Sequence, residues 1–170
     1  DRALEWAEEQ ILLNRPPPLN TPDLAPAGLG ELGVELDTAA KRALEQRISL
    51  RTYGPWEAII RQGETDRSLL LVPAGDVTLS TGDNAHTGMR LSVIGAGAVF
   101  GEMAFLNGIP RTAYAYAGAQ GATIGFLTWD DFQAWSTEHP ASALAFVTAL
   151  ARVGINRLSA TSQELRAALA

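Results

Sequence analysis

The sequence predicts a mainly β fold, a small all-β barrel or jelly roll, with one helix ahead of it and two behind. Three observations carry that prediction. Between Arg51 and Leu127 the apolar runs are short, and glycine or polar turns part them at regular intervals. Several runs, Val77-Thr78-Leu79, Met89-Arg90-Leu91-Ser92-Val93 and Ala113-Tyr114-Ala115-Tyr116-Ala117, alternate with the period of two that suits a half-buried strand. Helical segments marked by capping residues flank this stretch on both sides.

Residues 1–14 read as the helical tail of a preceding domain, with Leu4, Ala7, Ile11 and Leu12 on one side. Residues 15–36 read as a linker. Pro16, Pro17, Pro18, Pro22 and Pro26, with Gly28 and Gly30, favour an extended, semi-rigid chain. Residues 37–170 form the main domain. Asp37 is placed to cap a helix over Thr38 to Ile48, and the barrel runs from about 51 to 127. Thr81-Gly82-Asp83-Asn84 is a hairpin tip. Thr128, with Asp131 three residues on, caps Trp129 to Ser136. Pro140 opens a longer helix from Ala141 to about Leu169. Val147, Leu150, Ala151, Leu158 and Leu165 lie near one stripe of it, and Ala145, Phe146, Ala149 and Ile155 make its other sides apolar too. That helix is expected to pack on the barrel and to offer a face to a neighbouring protein, such as a second copy in a homodimer.

At 170 residues the chain holds one domain with a real core. It opens on Asp1 rather than Met and is read as part of a longer protein. No apolar run approaches membrane-spanning length and no signal peptide is visible, so a membrane is expected only through a parent protein. The absence of cysteine excludes disulfides and thiol chemistry and leans towards a cytoplasmic setting. Of the formal charge of −6, residues 1–40 carry eight acids and two bases, whereas residues 41–170 carry eleven of each. The domain is therefore neutral, and no nucleic-acid partner is expected. His86 and His139 are far apart and lack cysteine neighbours, so no metal or other cofactor is implied. Gly95, Gly97 and Gly101 are spaced one residue too far for a dinucleotide fingerprint, and no serine sits in a nucleophile elbow.

The most informative segment is Phe100-Gly101-Glu102-Met103-Ala104-Phe105-Leu106, followed by Pro110-Arg111-Thr112-Ala113. It sets a glycine turn and a short helix start nine residues before an arginine. A helix N-terminus offers unpaired N–H groups and the positive end of a dipole, which suit an anion. Arginine adds a planar, permanently charged fork that matches phosphate oxygens. Glu102 would repel that phosphate unless it accepts from something neutral attached to it, such as a sugar hydroxyl. A ribose phosphate meets all three conditions. No base, nucleophile or metal in the segment could open a phosphodiester, so binding without turnover is expected and not an enzyme.

These residues resemble the phosphate-binding cassette of cyclic-nucleotide-binding domains, whose pattern runs F-G-E, an apolar stretch, then P-R-[AST]-A. The resemblance extends to Pro55 and Glu57, to Ile60-Arg61-Gln62-Gly63-Glu64, to Gly75-Asp76-Val77 and to Gly97. One departure is Trp56, where the family usually has glycine. The resemblance implies an eight-stranded jelly-roll β-barrel with an N-terminal helix and two C-terminal helices, and cAMP or cGMP as ligand. It implies that Glu102 accepts from the ribose 2′-hydroxyl and that Arg111 pairs with an exocyclic phosphate oxygen. Gly101 would give the turn, Met103 and Ala104 would donate their N–H groups to the phosphate, Thr112 would add a hydroxyl, and Ala113 would close the site. Thr112 resembles cGMP-responsive domains, although cAMP-responsive domains share it, and cAMP is slightly favoured.

The opening Asp1-Arg2-Ala3-Leu4-Glu5-Trp6 and Glu8 resemble the closing helix of the STAS domain of SulP-type anion transporters. Some bacterial members carry a cyclic-nucleotide-binding domain at the C-terminal end. That resemblance implies a cytoplasmic regulatory tail tethered to a STAS domain or transporter at the inner membrane. A catabolite-activator-like regulator would need a DNA-binding motif after the long helix, and only some thirty residues follow Pro140. A degenerate domain serving only protein interaction is the other class. The last helix is expected to close over the base as a lid, with Leu150, Ile155 and Leu158 as candidate contacts and the helix from Trp129 as hinge.

Overall fold

The computed structural model describes residues 29–82 and 90–169. The expected helix at 1–14, most of the expected linker and the tip residues Asp83 and Asn84 lie outside them.

The sheet is antiparallel and built on two long strands. β1 (Ser49–Tyr53), β2 (Ala58–Ile60), β3 (Ser68–Ser80), β4 (Arg90–Ile94), β5 (Val99–Phe100) and β6 (Tyr114–Thr128) follow in chain order. β3 and β6 pair along nearly their whole length, with β1 and β2 on the outer side of β6 and β4 and β5 on the outer side of β3. The register between β3 and β6 shifts between Leu71 and Ala74 and again between Gly75 and Val77. At this bend Gly75 and Gly121 have φ of +79° and +75°. A Cβ on Gly75 would lie 2.3 Å from the Gly121 carbonyl oxygen, so only glycine lets the two backbones cross so closely.

That bend corrects the expected eight-stranded closed barrel. Among the described residues there are six strands, and no ladder joins the β1 side to the β4 side, so the sheet stays open. The glycine signals at 75 and 118–121 mark bulges rather than turns. The ladder resumes beyond each bulge, and one bent strand does the work of two.

Among the described residues four α-helices flank the sheet: α1 (Thr38–Glu45), α2 (Glu102–Asn107), α3 (Trp129–Glu138) and α4 (Pro140–Leu169). Both predicted caps are present. The Asp37 carboxylate accepts from the Ala40 N–H at 2.8 Å, and the Thr128 hydroxyl accepts from the Asp131 N–H at 3.1 Å. The last residues assigned to the linker are folded instead. Leu29, Leu32 and Leu36, around a 3-10 turn at Gly30–Gly33, are buried, because their apolar side chains complete the core under the helices.

Two cores result. Inside the bent sheet lie Ile60, Leu70, Val72, Val77, Phe100 and Ile124. Between sheet and helices lie Leu29, Leu44, Phe105, Phe132, Trp135, Phe146 and Leu150. The Trp135 indole donates to the Ala40 carbonyl at 2.9 Å, satisfying the one polar atom that its burial would otherwise strand. α4 buries Ala143, Phe146 and Leu150, whereas Ile155, Leu158 and Leu165 on its second half are exposed. By length and composition α4 could cross a membrane, contrary to the expectation from the sequence, but its first turns pack as a core helix does.

Candidate functional site

The predicted cassette sits where the two cores meet. Phe100 fills the sheet core and Phe105 the helical one, so the turn between them is anchored at both ends. Gly101 caps α2 in the left-handed region with φ +79°, and Gly108 ends it with φ +66°, its N–H donating to the Ala104 carbonyl at 2.9 Å. Among the described residues no side chain caps the N-terminal end of α2. Its first-turn N–H groups are left for water or a ligand. At the other end Arg67 donates to the carbonyls of Phe105 (2.8 Å) and Leu106 (3.0 Å) and lies 3.8 Å over the Trp129 ring. Phe105 meets Trp129 edge-on at 5.1 Å, so α2 is joined directly to α3.

Arg111 is only 5% exposed, unusual for arginine and tolerable only with partners. Its Nη2 donates to the Ser68 carbonyl at 2.7 Å and pairs with the Asp66 carboxylate at 3.1 Å, while Nη1 donates to the Gly101 carbonyl at 3.2 Å. Asp66 is itself steadied by the Ser68 hydroxyl at 3.0 Å. The backbone is pinned as well: Gly63 N–H donates to the Arg111 carbonyl and Arg111 N–H to the Glu64 carbonyl, both at 2.8 Å. Nε alone is buried without a partner. A fixed guanidinium with a buried unused donor is preorganised for an acceptor that arrives from outside.

Gly101, Ala104, Arg111, Thr112 and Ala113, five of the seven predicted site residues, line one pocket. Its apolar wall comes from Ile60, Leu79, Phe100 and Ala115. Glu102 and Met103 are not on that lining. Met103 points outward and is exposed. Glu102 is held from α4: Arg157 Nη1 donates to its Oε2 at 3.0 Å, and Nη2 of the same arginine donates to the Val99 carbonyl. α4 contributes no residue to the pocket lining, and Leu150, expected as a lid contact, is locked in the helical core beside Phe146.

Sequence reasoning missed Asp66, Arg157 and the apolar wall. A buried arginine needs a counter-charge, which signals that an acid must exist, but Asp66 stands 45 residues away and nothing in the sequence singles it out from Glu57 or Glu64.

A glycine-turned helix start and a buried arginine thus meet at one apolar-walled pocket of a β domain. Residues 50–139 match the family model described as the cyclic nucleotide-binding domain. The chain belongs to that family. It is 30% identical to glutaminase 2 of Bradyrhizobium diazoefficiens over 165 residues, which are 97% of this chain and 26% of that protein. It is 31% identical to a cyclic nucleotide-gated potassium channel of Rhizobium etli over 71% of this chain and 32% of the channel. The crystal structure of Thermus thermophilus catabolite activator protein superposes with a TM-score of 0.65 at 27% identity, covering 80% of this chain and 62% of that one. The chain thus spans between a quarter and a third of the length of these two sequence relatives.

Proposed function

We propose that this domain binds cAMP, with cGMP as the weaker alternative, and passes its occupancy to a tethered partner without chemical turnover. The observation that carries the reading is Arg111, a buried guanidinium fixed at the Gly101 turn with its Nε–H unused. A cyclic phosphate offers that donor and the first-turn N–H groups of α2 their missing acceptors. The apolar wall of Ile60, Leu79 and Ala115 suits a base, and Glu102, next to Gly101 in sequence though off the lining, is the acid assigned to the ribose hydroxyl.

For the partner, the sequence pointed to a STAS domain and an anion transporter. The alignment with glutaminase 2 runs over nearly the whole chain, beyond the limits of the nucleotide-binding domain, and favours a tethered glutaminase-type enzyme as a second reading. The transporter reading implies the cytoplasmic side. Exposed Ile155, Leu158 and Leu165 support α4 as the surface that meets the partner or a second copy.

Calorimetric titration of the chain with cAMP and with cGMP tests the ligand. Binding in the micromolar range, about 8 kcal/mol, is expected. Arg111→Ala should weaken it at least about tenfold, since it removes a charge-assisted bond of roughly 1.5–3 kcal/mol. Glu102→Ala should weaken it less. No heat at millimolar nucleotide, or an Arg111→Ala protein that binds like the parent, ends the proposal.

A further inference from the structure

We propose that Arg157, on α4 and outside the predicted cassette, is a positioning residue that makes the cassette selective for a ribose-bearing anion; this rests on the cyclic-nucleotide reading above. Glu102 is only 12% exposed at its side chain, so its carboxylate lies in a medium where an unbalanced charge is expensive. Arg157 balances it at 3.0 Å. The same guanidinium also donates to the Val99 carbonyl, so it grips the chain on both sides of the Gly101 turn, in β5 and in α2. Gly154, one turn earlier on the same helix face, brings the α4 backbone against the same side chain: a Cβ there would lie 3.6 Å from Glu102 Cγ. One ion pair and the close passage of the Gly154 backbone therefore bring this face of α4 against the Glu102 side chain.

The charges of the site explain why. Arg111 is paired with Asp66 and Glu102 with Arg157, so the four groups sum to zero. Without Arg157 the group is net negative, and an arriving phosphate meets repulsion. With it, Glu102 Oε2 is fixed, and Oε1, which lies 3.9 Å from a would-be Gly154 Cβ, is assigned to a sugar hydroxyl. Arg157 therefore has two effects: it lowers the electrostatic barrier to an anion, and it sets the carboxylate that reads the ribose. It also fastens α4 to the cassette, so nucleotide binding and the position of α4 are thermodynamically linked.

The test titrates the parent, Arg157→Ala and Arg157→Lys with cAMP and with 2′-deoxy-cAMP at low and high salt, after thermal melting has verified that each variant is folded. In the parent cAMP should bind more tightly than the deoxy analogue. In Arg157→Ala, cAMP affinity should fall about tenfold, more at low salt than at high. The preference for the 2′-hydroxyl should collapse towards unity. Arg157→Lys should recover affinity but not the preference, because it restores charge without the fork. An Arg157→Ala protein with parental affinity and preference overturns the inference. So does one that loses both ligands equally, which would mark a merely structural role. A parent that binds neither nucleotide overturns the functional reading itself.

Discussion

Gly101→Ala is the substitution for which the structure makes the fullest demand. Gly101 sits at φ +79°, where an alanine costs about 1–2 kcal/mol of backbone energy. The added Cβ would stand 2.5 Å from Arg111 Nη1 and 3.2 Å from a Leu70 methyl. A guanidinium would ordinarily step aside cheaply. Here it is tied to Asp66 and to the Ser68 carbonyl, so moving it sacrifices bonds of about 1.5–3 kcal/mol each. With one of those bonds lost, the expected loss of stability is therefore about 2.5–5 kcal/mol. That is a large share of the roughly 5–15 kcal/mol that holds a domain together, yet not all of it. Differential scanning calorimetry should show a melting point lower by roughly 5–15 °C. Titration with cAMP should show at least about a tenfold loss. Gly97→Ala is the control, because Gly97 has φ +87° but nothing within 4 Å of its would-be Cβ. It should lose only the backbone term and keep its affinity. A Gly101→Ala protein that melts and binds like Gly97→Ala would refute the claim that Arg111 is locked beneath this turn.

Two further outcomes follow from the scaffold. The Ala40 N–H holds the Asp37 carboxyl below the ordinary aspartate range, with the Ser142 hydroxyl at 3.3 Å adding to it. A depressed pKa stabilises the fold above the unfolded-state value and ceases to do so as pH falls through the folded-state value. The stability gap between the parent and Asp37→Ala, read by urea melts, should thus be full at neutral pH and shrink as the pH falls below the ordinary aspartate range; a gap that does not change with pH would contradict the cap. Trp56 adopts φ +59° in the turn closed by the Glu57 N–H on the Gly54 carbonyl, a conformation that glycine takes freely. Trp56→Gly should relieve that strain and leave cAMP affinity within about twofold of the parent, well inside the tenfold that 1.4 kcal/mol represents, and a larger fall would tie this turn to the pocket.

Much was legible along the chain because it is local. The caps at Asp37 and Thr128, the start of α2 after Gly101 and the opening of α4 at Pro140 each depend on residues within a turn or two. The order of Gly101, Glu102 and Arg111 is likewise a property of one short segment. Other features depend on what lies across the fold. Gly75 and Gly121 look the same in sequence whether they end a strand or bend it, and only the close passage of the partner backbone, whose Gly121 carbonyl oxygen would lie 2.3 Å from a Cβ on Gly75, decides. Leu29, Leu32 and Leu36 sit among proline and glycine and resemble a linker until Trp135 and Phe146 give them somewhere to be buried.

The sequence by itself determined that a glycine turn, a helix start and an arginine would stand close enough to cradle an anion. Only the tertiary structure decided how those charges are balanced. Asp66 lies 45 residues from Arg111, and Arg157 lies 55 from Glu102. Nothing in local spacing selects those partners. Burial does, because a charge removed from water must find its opposite wherever the fold brings one within reach.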